Sequence, residues 1–292
     1  FIKKNHILLF SSIFFYSYWI FNYIFLVFFI IFINFFFGKT LIKKKNQRLL
    51  IFAITINVLI LLIFKYSDFI LSNINYLFNI NISYPNIPYP LAISFITFQN
   101  IIYLIDCYDD QIKKIKLNKY ALFVLFFPQL IAGPITRYNN MQLQFNKKFK
   151  NINYDSLIKG FFLISIGLFK KIIIADKLAV YVNENYNSIY NLGFFETWFT
   201  SVAFTLQFYF DFSGYADIAV GLGLLFFINI PINFNSPLKS TSMIEFWQRW
   251  HLTLTSFLTN YIYLPIIKNF NEINMKNIAI STTITFFIAG LW

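Results

Sequence analysis

The chain has 292 residues, 58% of them hydrophobic, 22% aromatic and only 12% charged, with a formal net charge of +12. Several apolar runs reach or approach the ~18 to 20 residues that cross a bilayer, and no polar block is long enough for a soluble domain. The 24 Lys and Arg lie in short clusters between those runs, as in cytoplasmic loops. No nucleic-acid motif accompanies them, which excludes nucleic acid as a partner, and the single Cys107 excludes an intrachain disulfide or a cysteine-based metal cluster.

In chain order, residues 7–37 form the first apolar run, preceded by Lys3 and Lys4. It is too long for a signal-peptide core and lacks a small-residue cleavage site, so it reads as membrane-embedded, with room for two short helices. Lys39, Lys43, Lys44, Lys45 and Arg48 make a basic loop ahead of a second run at 49–64, and a nearly uncharged, Pro-containing segment follows at 67–89. That asymmetry places the basic loop inside and 67–89 outside. A run at 90–105 then returns the chain to Asp106, Asp109, Asp110 and the cluster Lys113, Lys114, Lys116 and Lys119, a second cytoplasmic loop.

The run at 120–135 contains Pro128, Gly133 and Pro134 and has basic residues on both sides. A broken or re-entrant helix fits it better than a simple span, because irregular backbone at membrane depth must line a protein-covered cavity. Further helices are predicted near 157–182, 195–210, 216–230, 246–267 and 278–292. No internal repeat is evident, which weakens a transporter reading built on inverted repeats. Residues 1–292 read as a single all-α, polytopic membrane domain. It starts at Phe1 rather than Met, and both ends look cut.

Ionisable groups at membrane depth are expensive and mark working sites. In Gln207-Phe-Tyr-Phe-Asp-Phe-Ser-Gly-Tyr-Ala-Asp217, Asp211 and Tyr215 lie four apart and share a helix face, and Gly214 is a point where the helix can open. The segment reads either as a polar network tying helices together or as a substrate lining. Lys170 and Lys171 sit between apolar stretches and must reach a membrane face or a buried partner. In the broken run, Gln129 and Arg137 are candidate polar lining, unless the break serves packing alone. His251, one of two histidines, follows Trp247 by four residues and Arg249 by two on a helix expected to start near Glu245. As a lone His beside two Trp residues it reads by default as part of an aromatic belt. His6 has no supporting motif.

Taken together these motifs resemble the signature of the membrane-bound O-acyltransferases, in the bacterial branch that includes alginate O-acetylation proteins and the D-alanyl transfer protein of teichoic acid synthesis. The resemblance covers about residues 89–292. It rests on Ser94-Phe-Ile-Thr-Phe-Gln99, Phe126-Phe-Pro-Gln-Leu-Ile-Ala-Gly-Pro-Ile-Thr-Arg137, Gly167-Leu-Phe-Lys-Lys-Ile-Ile-Ile-Ala-Asp176, the 207–217 segment and Asn233-Phe-Asn-Ser-Pro237. Phe246-Trp-Gln-Arg-Trp-His251, with Gln248 substituted, and Tyr261-Ile-Tyr-Leu-Pro265 continue it. Ile266-Ile-Lys-Asn269 stands where the family has a Gly-Gly turn. The chain stops at Gly290-Leu-Trp292, one residue before the family's catalytic histidine. The resemblance therefore implies that His251 is a supporting histidine, that the base lies beyond Trp292, and that the 292-residue chain by itself is inactive.

The resemblance further implies a multi-pass protein of the bacterial inner membrane with broken or re-entrant helices around a central chamber. An acetyl group from a cytoplasmic donor, acetyl-CoA, would pass through that chamber to an extracytoplasmic acetyltransferase partner or directly to a polysaccharide or peptidoglycan acceptor. Asp211, Ser213, Tyr215, Asp217, Arg249, Trp250 and His251 are expected to line it with Gln129 and Arg137. Lys170 and Lys171 would meet the donor's phosphates, and neither a bound cofactor nor a metal is expected. Two alternatives stay open: D-alanyl transfer from a carrier protein to teichoic acid, and, from a different class, a transporter or flippase for a lipid-linked sugar.

Overall fold

Among the described residues, 4–19, 21–131, 133–147, 153–188 and 192–291, a computed structural model shows helices joined by turns and no strand. Helices satisfy their own backbone hydrogen bonds, which apolar sequence of this kind requires. The chain divides into two compact units, one mainly of residues up to 147 and one mainly of residues 153–289.

The first unit holds α1 (Lys4–Trp19), α2 (Ile24–Lys43), α3 (Gln47–Phe78), α4 (Ile93–Tyr108), α5 (Leu117–Leu125), α6 (Phe127–Leu130) and α7 (Tyr138–Asn146). The run at 7–37 is thus two helices. Of the sixteen residues of α4, twelve are buried, and it packs on α2 and α3. The approach of α2 is close enough that a Cβ at Gly38 would lie 2.2 Å from the Tyr103 hydroxyl. A second run was expected to end at 64, but α3, 32 residues in all, runs on to Phe78. Nothing between Gln47 and Asn79 breaks it: no Pro or Gly occurs there, and Asn79 ends it in the left-handed conformation, φ 51°.

Two helical segments, Phe21–Lys43 and Gln47–Phe78, are long and apolar enough to cross a membrane, yet only 39% and 17% of their apolar windows are buried. Phe25, Phe29, Phe52, Leu59, Ile63 and Phe69 stand exposed on them. A core helix of a soluble protein would be covered; these present apolar surface as lipid-facing helices do. Lys45, after α2, pairs with Asp110, after α4, so the two basic loops share one end of the unit. At the other end the Tyr23 hydroxyl donates to the Pro88 carbonyl, 2.7 Å away.

The interior of this unit is tied by a neutral polar network. Asn34 and Asn57 exchange amide hydrogen bonds of 3.1 and 2.8 Å, Asn100 donates to Asn57 at 3.3 Å, and the Tyr120 hydroxyl donates to Asn100 at 2.7 Å. One residue from each of α2, α3, α4 and α5 takes part, and all four are buried. Between α5 and α6 the helix breaks at Phe126, and Pro128 sits in the first turn of α6. Gln129 closes the break: its amide donates to the Phe123 carbonyl at 3.1 Å and accepts from the Thr136 hydroxyl at 2.9 Å.

The second unit holds α8 (Tyr154–Leu168), a π-helical turn Phe169–Ala175, α9 (Asp176–Asn187), α10 (Phe194–Leu225), α11 (Met243–Trp247), α12 (Leu252–Phe257), a second π-helical turn Leu258–Tyr263, α13 (Leu264–Lys268) and α14 (Met275–Leu291). The expected helices at 195–210 and 216–230 are one helix, α10, and it does not open at Gly214. Instead α8 and α10 run antiparallel with their backbones in contact at two glycine pairs. A Cβ at Gly214 would lie 2.8 Å from the Gly167 carbonyl oxygen, and one at Gly221 would lie 2.7 Å from that of Gly160. Along each helix the glycines repeat at seven residues, two helical turns, which keeps both on one face, and small residues at such a face let helices in lipid approach closely. At the end of the interface the Ser156 hydroxyl donates to the Leu224 carbonyl at 2.9 Å.

Candidate functional site

The close α8–α10 approach gathers five charged groups, two of them, Asp211 and Asp217, well inside the 32-residue α10. Lys170 and Lys171 sit on the π-helical turn that follows α8, an insertion that recurs at functional positions in helices. Lys170 Nζ meets Asp217 at 2.6 Å; Lys171 Nζ meets Asp211 at 2.6 Å and Asp176 at 2.8 Å. Lys171 also lies 5.5 Å from the Tyr215 ring centre, within reach of a cation–π attraction. Asp211 and Tyr215, four residues apart, thus converge on one ammonium group. Of the two destinations open to the lysines in the sequence, a membrane face or a partner within the protein, both take a partner, and it is a carboxylate. Their side chains and those of their partners are 23% to 49% exposed.

Ser213, between the two carboxylates, is buried, and its hydroxyl has no hydrogen-bond partner among the described residues. A buried hydroxyl left unpaired is costly.

His251 is not on a helix. The expected helix from Glu245 stops at Trp247, residues 248–251 form a turn, and His251 takes a left-handed backbone, φ 41°, as the cap of α12. Histidine tolerates that conformation better than bulkier residues do. Asn233 fixes the geometry: its carbonyl accepts from Leu252 N–H at 2.9 Å, and its side-chain oxygen accepts from the Thr253 hydroxyl at 3.0 Å and from Thr253 N–H at 3.3 Å. Asn235 N–H donates in turn to the Arg249 carbonyl at 3.0 Å. Two separate sequence motifs, 233–237 and 246–251, are therefore stitched into one loop pair.

His251 is 8% exposed. It packs edge to face on Phe212, with centres 4.9 Å apart, and lies 6.2 Å from Phe234. Trp250 stacks on Phe246 and Phe208 and meets Phe234 edge-on at 5.0 Å. Phe212 comes from the Asp211–Asp217 motif and Phe234 from the Asn233–Pro237 motif, so all three motif segments meet at the histidine. Arg249 is held at the rim of this group by Glu245, 2.7 Å away, with Nη1 directed at the Asn235 carbonyl, 3.4 Å.

The second unit thus brings Asp211, Ser213, Tyr215, Asp217, Arg249, Trp250 and His251 onto neighbouring elements, with Lys170 and Lys171 against the carboxylates. Gln129 and the half-buried Arg137 belong to the first unit. Sequence reasoning missed Phe212, Phe234 and Asn233 as residues that hold the histidine, because 41 Phe residues made any single one uninformative. It also missed the Gly160/Gly167 and Gly214/Gly221 pairs, although their common spacing of seven was visible.

A family model described as the membrane-bound O-acyltransferase family matches residues 7–292 and so runs through both units. The chain is 38% identical to the peptidoglycan O-acetyltransferase of Helicobacter pylori over 98% of its own length and 59% of that protein. It is 33% identical to the probable alginate O-acetylase of Pseudomonas aeruginosa over 99% of its length and 56% of that protein. Against the teichoic acid D-alanyltransferase of Bacillus subtilis the identity is 29%, over 69% of this chain and 53% of that protein. The chain spans a little over half the length of these curated relatives. With three motif segments gathered at His251 and a match from residue 7 to residue 292, the chain belongs to the membrane-bound O-acyltransferase family.

Proposed function

We propose that the protein carrying this chain moves an acetyl group from a cytoplasmic thioester, acetyl-CoA, to a hydroxyl of a cell-envelope polysaccharide outside the bacterial inner membrane, directly or through an extracytoplasmic partner. The observation that carries the reading is the enclosure of His251 by the three motif segments beside a cluster of ionised groups, a constellation that packing alone does not require. Identity of 38% and 33% to O-acetylating relatives across nearly the whole chain, against 29% across 69% to a D-alanyl-transferring one, favours acetyl as the group moved.

The chemistry asks for few parts. A base takes the proton of the acceptor hydroxyl, the oxygen attacks the thioester carbonyl, and the tetrahedral intermediate collapses with CoA thiolate leaving. General-base assistance contributes about 10² to 10⁴ in rate, and donors aimed at the developing oxyanion contribute a comparable factor. In this reading Asp211, Ser213, Tyr215, Asp217, Arg249 and Trp250 line the chamber beside His251. The donor's phosphates reach Lys170 and Lys171 only in exchange for Asp217, Asp211 and Asp176. The basic loops at 39–48 and 113–119, which share one end of the first unit, face the cytoplasm under the positive-inside rule, and the other helices complete a multi-pass fold around broken segments.

The test is transfer of labelled acetyl from acetyl-CoA to envelope polymer in membranes holding the intact protein, compared with membranes lacking it. Label appearing in polymer only with the protein supports the reading; polymer export without acylation sinks it and returns a transporter.

A further inference from the structure

The loop that caps α12 fixes more than the position of His251. Nδ1 of the ring accepts from Leu254 N–H at 3.3 Å, the N-cap bond of α12. A backbone N–H can only donate, so the nitrogen facing it carries the lone pair and the neutral ring carries its proton on Nε2. The residue's own carbonyl also lies near the ring and accepts from Thr255 N–H at 3.0 Å; with two lone pairs it leaves the tautomer undecided, and the Leu254 N–H is the contact that sets it. Moving the proton to Nδ1 would set donor against donor and strip the helix of its cap. Nε2 has no partner among the described residues, and the ring is walled by Phe212 and Phe234.

A base must offer a lone pair, and the only one on this ring is committed to the helix. What His251 offers to a reacting pair is an N–H bond held at fixed angle in an apolar pocket. Such a group is suited to the oxygen that gains charge when a thioester carbonyl is attacked, since a preorganised donor in a water-poor site stabilises charge without reorganising. Resting on the acyl-transfer reading, we propose that His251 is the oxyanion donor of the site through Nε2–H, its tautomer locked by the N-terminus of α12, and that proton removal from the acceptor falls to another group.

Two substitutions separate the nitrogens. His251→Asn keeps an acceptor for Leu254 N–H and suits both the cap and the left-handed backbone, but reaches nothing at the Nε2 position. His251→Gln places an amide N–H near that position. In the intact protein, His251→Asn is expected to unfold at the wild-type temperature, to lower kcat about 10²-fold in line with loss of one oxyanion donor, and to leave KM for acetyl-CoA within about twofold. His251→Gln is expected to recover at least tenfold over Asn. Nitrogen-15 NMR of histidine-labelled protein, assigned by difference against His251→Asn, should show the proton on Nε2 at neutral pH.

A His251→Asn protein as fast as wild type, a Gln variant no faster than Asn, or a proton found on Nδ1 each overturns the proposal. Wild-type membranes that transfer no acyl group would defeat the acyl-transfer reading instead, and the NMR result would still decide the tautomer.

Discussion

The two units each hold a polar cluster inside apolar helices, and the clusters follow opposite plans. Asn34, Asn57, Asn100 and Tyr120 are uncharged, at most 2% exposed, and linked to one another across four helices. Lys170, Lys171, Asp176, Asp211 and Asp217 are charged, and their side chains stay a quarter to a half exposed. A neutral network that satisfies its own donors can be sealed at little cost and makes the helix packing specific. A charged one costs more to bury and keeps groups that can change partners. The first cluster holds a fold together, while the second, two residues from the unpartnered Ser213 hydroxyl, stays open to exchange of partners, as the proposed site requires.

The largest effect should come from the contact beneath the charged cluster. Leu in place of Gly214 would drive its Cβ to 2.8 Å from the Gly167 carbonyl and pry α8 from α10, an overpacking loss of about 3 kcal/mol. The expected result is little or no monodisperse protein in detergent, with Gly214→Ala intermediate; a Leu variant melting like wild type would show that these glycines do not set the register. Next comes the charge pair itself. Lys171→Met leaves Asp211 and Asp176 without their cation and should lose on the order of 1 to 3 kcal/mol, between the exposed and buried limits. Adding Asp211→Asn should return part of it, which a double-mutant cycle of thermal unfolding measures. If Lys171 also meets the donor, the single variant will weaken acetyl-CoA binding about tenfold, and unfolding and binding data separate the two contributions. Smaller again is Asn57→Leu in the neutral cluster, which leaves the amides of Asn34 and Asn100 short of a partner. It should cost about 1 kcal/mol and leave the acyl-transfer rate of the folded protein unchanged. A drop in rate without a drop in stability would erase the distinction between the clusters.

Much of the fold was legible because its drivers are local. Apolar run length predicted helices in both units, and Pro128 marked the real break between α5 and α6. The merging of 195–210 with 216–230 was not legible, because a lone Gly reads as a weak point until the partner helix that fills its groove is known. At the site, the spacing of Asp211 and Tyr215 predicted a common face and both meet Lys171, yet nothing in the spacing of 246–251 revealed that His251 leaves the helix. That departure depends on Asn233, thirteen or more residues away in sequence, whose carbonyl and side chain capture the first N–H groups of α12. Long-range backbone capture of this kind has no periodic signature.

The rim of the site gives the mildest test of the same contrast. Glu245, just ahead of the apolar run that begins at 246, accepts from Thr241 N–H at 2.7 Å and from the Thr241 hydroxyl at 2.9 Å, and pairs with Arg249. Those hydrogen bonds, backbone first, hold its carboxyl below the ordinary value of 4.5. A carboxylate lowered in the folded state stabilises fully above its unfolded pKa and loses that contribution as pH falls through the lowered value. Arg249 stays charged throughout, so acid opens the clip by neutralising Glu245 alone. Hydrogen-exchange protection at residues 241–249, with the intrinsic pH dependence of amide exchange divided out, should be unchanged between pH 7 and 5 and fall below pH 4.5, whereas Glu245→Gln should show low protection at every pH. Loosening between pH 7 and 5 in the wild type would mean that some group other than Glu245 holds the loop that carries His251.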